Sequence, residues 1–392
     1  MNKKAKEFVE YIISNKAPYG DKSTVITDSQ NKFQLTKDRS VYACKSFAVR
    51  FSWSKSGSFS NTILSLSHLQ KYDDRPFFVV LIVPSKANAI YLANSTFLSK
   101  ISHSSSTLAI NNIRGSFNGS DIMKAFGEDE NKIANTKDNF SKLYAIHEGT
   151  EREDNLLRLV EASSAIQPKS QRFEPTDVQR QNILQSIDRA ESFIASDNFS
   201  VLNADLQQRC DACKEAIWVA SRIENVNIRG RIIEAMITAD NNKRNTIIKA
   251  LKAEEMNNPL YETKNELGDY NSSFDNGNTY TDIKTKVMYL GSAPKAYNVD
   301  KFLAKMAEDN SSFFFFFIGI DENGVCSTKL CSVYHNELID NSIIQHHWAG
   351  RSTRGVIQFN GEIINTILNR NLFKNHIDRK VALEYIEKLL AK

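Results

Sequence analysis

The sequence predicts an α/β (α+β) chain in two parts, a β-rich N-terminal domain and then a domain that alternates helices with strands. Three observations carry this. Short apolar runs rich in Val, Ile, Phe, Tyr and Trp, broken by Ser, Gly, Asn and Asp turns, fill residues 23–122. From Asp177 onward apolar residues recur at helical spacing. Within that second part, two strand-like runs, Tyr280 to Leu290 and Phe313 to Ile320, flank a helical stretch around Lys301 to Ala307. At 392 residues the chain exceeds the usual size of one hydrophobic core, so two domains are expected.

Composition narrows the class. A hydrophobic fraction of 41% and a charged fraction of 24% are those of an ordinary globular protein, which excludes a disordered chain. No apolar stretch approaches the ~18 residues of a membrane span. A net charge of +4 is a mild basic excess, so any face for nucleic acid has to be local. The N-terminus, Met1-Asn2-Lys3-Lys4-Ala5-Lys6, is charged without an apolar region behind it, and a cytoplasmic protein is expected. Five scattered cysteines suit a reducing compartment. Cys210 and Cys213 form a C-x-x-C inside an expected helix, Leu206 to Ala220, with no second pair, and Cys326, Cys331 and His335 are too loosely spaced for zinc. Free thiols packed as small hydrophobes are therefore expected.

In chain order, Lys3 to Ser14 carries Phe8, Val9, Ile12 and Ile13 at helical spacing. Strands are expected at Val41 to Trp53, Thr62 to Leu66, Phe77 to Val83 and Ala89 to Phe97. Ser54 to Gly57 and Asp73 to Pro76 supply turns. Phe77 to Val83 is apolar on both faces and reads as a central strand. These elements define a domain over residues 1–150, for DNA recognition or for an effector. Residues 151–175 are taken as the linker: a helix with Leu156, Leu157, Leu159 and Val160 and then a looser segment, Ser163 to Pro175, in which Gln167-Pro168-Lys169-Ser170-Gln171 has linker chemistry. The second domain, 176–392, opens with helices Asp177 to Ala195 and Asn203 to Ile223. Another follows at Arg229 to Ile237, with Ile233 and Ile237 inward. Phe313 to Phe317 shows no alternation, as expected of a strand buried on both faces, and would be an aggregation hazard if exposed. Arg379 to Leu390 closes the chain as an amphipathic helix.

The chemistry concentrates between Tyr261 and Leu290. Asp269 stands thirteen residues before Asp282-Ile283-Lys284. Carboxylates are the residues that hold magnesium, and a lysine beside them can orient the water that attacks a phosphodiester. Residues two apart on a strand share a face, so Asp282, Lys284 and Lys286 line one side; a solvated ion pair on an edge strand is the plain alternative. Polar segments with DNA-contacting chemistry lie elsewhere. Asn111 to Ser120 includes Arg114 and Asn118, and Gln345 to Gly361 includes His347, Trp348, Arg351, Arg354 and Gln358. Arginine and amide side chains read base edges, and aromatic rings stack. A weaker patch is Arg50, Trp53 and Lys55. His346 and His347 are adjacent, so on a strand they face opposite ways and do not form a chelate.

A helix with Gly230-x-x-x-Glu234, an acid, a strand with Asp-x-Lys, a helix and an apolar strand resemble the PD-(D/E)XK nuclease superfamily, over about Arg222 to Ile320. The resemblance implies an α/β nuclease core with a central mixed sheet. It implies Asp269, Asp282 and Glu234 as magnesium ligands and Lys284 as the catalytic lysine. Gly268 stands where the family carries proline, and Asp275, nearer to Asp282, is the alternative first acid; Leu267 and Tyr270 give Asp269 the better strand-end context. Among the superfamily's roles a type II restriction endonuclease fits, since the chain shows no Walker A loop, helicase or methyltransferase motif and hence needs no nucleotide cofactor. Its expected partners are double-stranded DNA and a second copy in a homodimer. The alternative is a non-catalytic sequence-specific DNA-binding protein.

Overall fold

The computed structural model describes residues 1–391 apart from 16–20, 55–62, 85, 105–114, 123–124, 127–132, 166–171, 224, 257, 263–265, 292–293, 325 and 348–353. The protein is mixed α/β, and its chain divides into two compact units, 1–170 with 346–352 and 171–345 with 353–392. Among the described residues no helix is long and apolar enough to cross a membrane.

The first unit is built on a five-stranded sheet in the order Thr36–Asp38, Val41–Ala43, Ala48–Trp53, Phe77–Ile82, Ala89–Leu92. Ala48–Trp53 and Phe77–Ile82 run parallel and the other pairs antiparallel. Every residue of Phe77–Ile82 is buried, because Phe78, Val80 and Ile82 pack on one layer and Phe77 and Val79 on the other. Two expectations need correction here. Lys22–Phe33 is a helix rather than the start of the strand region: Asp21 accepts the Ser23 and Thr24 N–H groups at its N-terminus, and Val25, Ser29 and Phe33 are buried at four-residue spacing. The second concerns the β-rich character of the first unit. Arg152–Ser164 is a helix of this unit with Leu159 fully buried, and Phe140–Glu148 is another, so the unit is mixed rather than simply β-rich.

In the second unit, helices at Asp177–Ile194, Asp197–Asp211, Lys214–Ser221, Val226–Thr238 and Asn241–Lys252 precede a four-stranded mixed sheet. The expected helix Asn203 to Ile223 is thus two, broken between Cys210 and Cys213; Cys213 turns its thiol to the Arg209 carbonyl at 3.0 Å. The strand order is Tyr270–Phe274, Gly277–Val287, Ser311–Ile320, Cys326–Ser332. The middle pair is parallel, and the chain between its members includes the helix Val299–Met306. All ten residues of Ser311–Ile320 are buried. Phe313, Phe315 and Phe317 meet one layer, including Phe302, Tyr334 and Phe359. Phe314, Phe316 and Ile318 meet another, including Ile233, Met236 and Ile237. The unalternating phenylalanine run is therefore a strand covered on both sides.

Candidate active site at the Asp269–Asp282 hairpin

Tyr270–Phe274 and Gly277–Val287 form an antiparallel hairpin closed by Asp275-Asn276, with Phe274 opposite Gly277 and Tyr270 opposite Thr281. Pairing stops there, while the longer strand runs on to Val287. The next residue back, Asp269, comes level with Asp282 where the short strand ends. Each carboxylate is then held by the other's neighbourhood: Asp269 Oδ2 accepts the Ile283 N–H at 2.7 Å, and Asp282 Oδ1 accepts the Gly268 N–H at 3.0 Å. Asp275 instead sits at the hairpin tip, exposed and bonded to Asn198, away from this pair.

Gly268 has a physical reason to be glycine. Its φ is +83°, and a Cβ there would lie 2.8 Å from the Tyr280 Cβ. Proline, fixed near φ −65°, cannot take that conformation, and it lacks the N–H that Asp282 accepts. Glycine rather than proline at 268 thus follows from the local backbone.

Lys284 shares a strand face with Asp282 and places its Nζ 3.1 Å from Asp282 Oδ2. Glu234 belongs to Val226–Thr238, a helix packed on the Asp282 strand, and lies near enough to act on both Asp269 and Lys284. Burial pushes the Asp269 carboxyl up to about 8; the Lys284 ammonium opposes this, while Asp282 and Glu234 reinforce it. Burial alone would lower Lys284, but Asp282, Asp269 and Glu234 more than reverse that and raise it. The site is a pair of acids, Asp269 and Asp282, beside a lysine whose charged form they favour, with Glu234 acting on both from the adjoining helix.

Two residues not singled out in the sequence, Asp205 and Arg209, brace this site. Arg209 donates to Asp205 and to the Ile237 and Ala239 carbonyls at the end of the Glu234 helix, and its guanidinium lies 4.8 Å from the Tyr270 ring centre. Tyr270, which follows Asp269, donates its hydroxyl to Asp205 Oδ2 at 2.6 Å. Only the Asp205–Arg209 spacing of four, an i,i+4 helix pair, was visible in advance.

Among the described residues of the second unit, those expected to contact DNA are engaged within the fold. Arg354 is corrected outright. It is 3% exposed, with its guanidinium on Asp300 and the Phe173 carbonyl and its own N–H also on Asp300, so it is a buried structural cation and not a base reader. Lys286 is likewise buried, its ammonium turned back to the Leu290 carbonyl rather than outward with Lys284. Gln358 is half-buried on Val356–Phe359 and accepts from Gln345. In the first unit, the Asn118 N–H donates to Asp121, and the backbone of His347 pairs with His103. Arg114, Trp348 and Arg351 lie outside the described residues, as does Lys55 of the weaker patch.

The chemistry of the donor set fits magnesium: carboxylate oxygens are the hard ligands it prefers, and a dication would offset the burial, reinforced by Asp282 and Glu234, that raises the Asp269 carboxyl. Among the described residues no three His, Cys, Asp or Glu side chains converge as a ready-made metal cage. Magnesium commonly keeps waters and takes only one or two carboxylates beside a substrate phosphate, which the Asp269–Asp282 pair can supply. No model of a known protein family matches the chain, and no curated protein matches it.

Proposed function

We propose that the chain is a magnesium-dependent endonuclease of double-stranded DNA with a PD-(D/E)XK-type site, acting as a type II restriction enzyme. One observation carries the reading: Asp269 and Asp282 are pinned side by side at a strand end with Lys284 against Asp282. Asp269 and Asp282 would hold the ion, with Glu234 as an outer ligand or a charge acting on Asp269. Bound there, magnesium supplies a Lewis acid that neutralises the scissile phosphate and acidifies a water. Asp269 must lose its proton before it can serve as a ligand. Lys284, held protonated, is a hydrogen-bond donor and positive charge for the attacking water or a phosphate oxygen, and not a general base. The water oxygen would attack phosphorus as one of its protons passes to bulk water, the bond to the 3′-oxygen would break, and that oxygen would take up a proton from solvent. Cutting both strands at a short symmetric site calls for a homodimer.

A second reading has its own support: Asp282 already has partners on both oxygens, as a structural ion pair would. One experiment separates them. The protein is incubated with sequenced plasmid and magnesium, alongside Asp282→Asn and Lys284→Ala. The nuclease reading expects discrete fragments from the wild type, and folded, DNA-binding variants that do not cut. Absence of cutting with magnesium or manganese on varied DNA, together with variants that lose only stability, leaves the ion pair as structure.

A further inference from the structure

Cys326–Ser332 is the edge strand of the four-stranded sheet. Val333 donates to Phe313 at 3.3 Å, and the register pairs Cys331 with Phe315 and Lys329 with Phe317. The odd-numbered residues therefore bond inward, and the backbone groups of Thr328, Leu330 and Ser332 point outward. At one end this outward row is satisfied by a side chain imitating a strand: Asn375 Oδ1 accepts the Ser332 N–H at 2.7 Å, and Asn375 Nδ2 donates to the Leu330 carbonyl at 3.1 Å. Beyond that contact the Leu330 N–H and both backbone groups of Thr328 have no partner among the described residues. They border a groove of about 510 Å³.

We infer that this edge is a docking site for an extended acidic segment of a partner protein, which adds to the sheet as a further strand. The inference is independent of the cleavage reading. Strand addition needs donors and acceptors along an edge; half-buried Thr328 offers both, in continuation of the Asn375 contact with the buried Leu330. Charge selects the partner. Lys329 and Lys374 line the groove and no Asp or Glu does. Phe199 from the facing helix and Leu372, 90% exposed at the rim, supply apolar surface for alternate side chains. A second copy of the same strand fits poorly, since Cys326–Ser332 carries a lysine and no acid to meet Lys329. A nucleic acid fits poorly too, because the outward carbonyls repel phosphates.

The test uses the full chain and a fluorescein-labelled peptide, acetyl-Glu-Ile-Asp-Val-Glu-Ile-Asp-amide, followed by fluorescence anisotropy at moderate salt. Saturable binding is expected, lost when the acids of the peptide are replaced by lysine. It is expected to weaken about tenfold or more in Lys329→Glu/Lys374→Glu, as removal of charge complementarity predicts. Thr328→Pro should also abolish it: the lost N–H points outward, so the protein's own ladder is kept. Should that variant unfold in a thermal melt, N-methylation of alternate peptide bonds in the probe makes the same test on wild-type protein. Equal binding of the methylated probe, equal binding of the lysine peptide, or no binding of the acidic peptide overturns the inference. So does a dimer in sedimentation that Thr328→Pro dissociates, which would make the edge a self-interface.

Discussion

Replacing Asp269 by Asn removes a titration without removing an oxygen for the Ile283 N–H to bond. The folded carboxyl is raised from 3.8 to about 8, so folding favours its protonated form. The stabilisation this gives is complete below the unfolded value, and it is lost as pH rises toward the folded one. Between pH 5 and 8 that is three units, at about 1.4 kcal/mol each roughly 4 kcal/mol, as a ceiling. Water at the half-buried group screens part of it, leaving about 2 kcal/mol. The assay is urea unfolding of metal-free wild type and Asp269→Asn across that window. The wild type should lose about 2 kcal/mol relative to the variant as pH climbs. Adding magnesium at pH 8 should restabilise the wild type and much less the variant, with proton release seen by calorimetry in buffers of different ionisation enthalpy. A stability difference that stays flat with pH, or magnesium binding without proton release, would refute the reasoning.

Further expectations follow from other positions. Gly268→Ala must hold a side chain at φ +83° against Tyr280, so unfolding should show a loss of about 1–3 kcal/mol; cleavage should fall as well, because relief of the clash shifts the backbone N–H that Asp282 accepts. Phe315→Ala empties a site in the core and should cost about 3–5 kcal/mol in denaturant melts with an unchanged m-value. Arg354→Ala leaves Asp300 buried without its cation and should cost about 3–5 kcal/mol. The double change Arg354→Met/Asp300→Leu should recover most of that, and the salt dependence of DNA binding should not respond to either.

What the sequence made legible is what short-range patterns encode. The five phenylalanines announce a strand with two covered faces because alternation is missing, and Asp282-x-Lys284 announces a shared face because the strand period is two. The same rule failed two residues on, where Lys286 bends its long side chain back to the Leu290 carbonyl as the strand ends. Arg354 was read as a DNA contact because its segment has that composition; its partner, Asp300, is 54 residues away, beyond the reach of any local pattern. Lys22–Phe33 was hidden by its Thr, Val and Ile, whose strand preference is overridden by the Asp21 cap and a buried face. Of the Arg209 brace only the pair with Asp205 is local; its contacts with the Ile237 and Ala239 carbonyls and the Tyr270 ring are tertiary.

The phenylalanine strand also has a consequence for how the second unit comes apart. Its odd-numbered rings floor the layer that includes Val299–Met306 and the C-terminal helix, and its even-numbered rings floor the layer that includes Val226–Thr238. Neither layer keeps a floor once the strand leaves, so local opening on one side is transmitted to the other through a single backbone. The unit is expected to melt in one cooperative step, with amide exchange in both layers converging on the same global free energy.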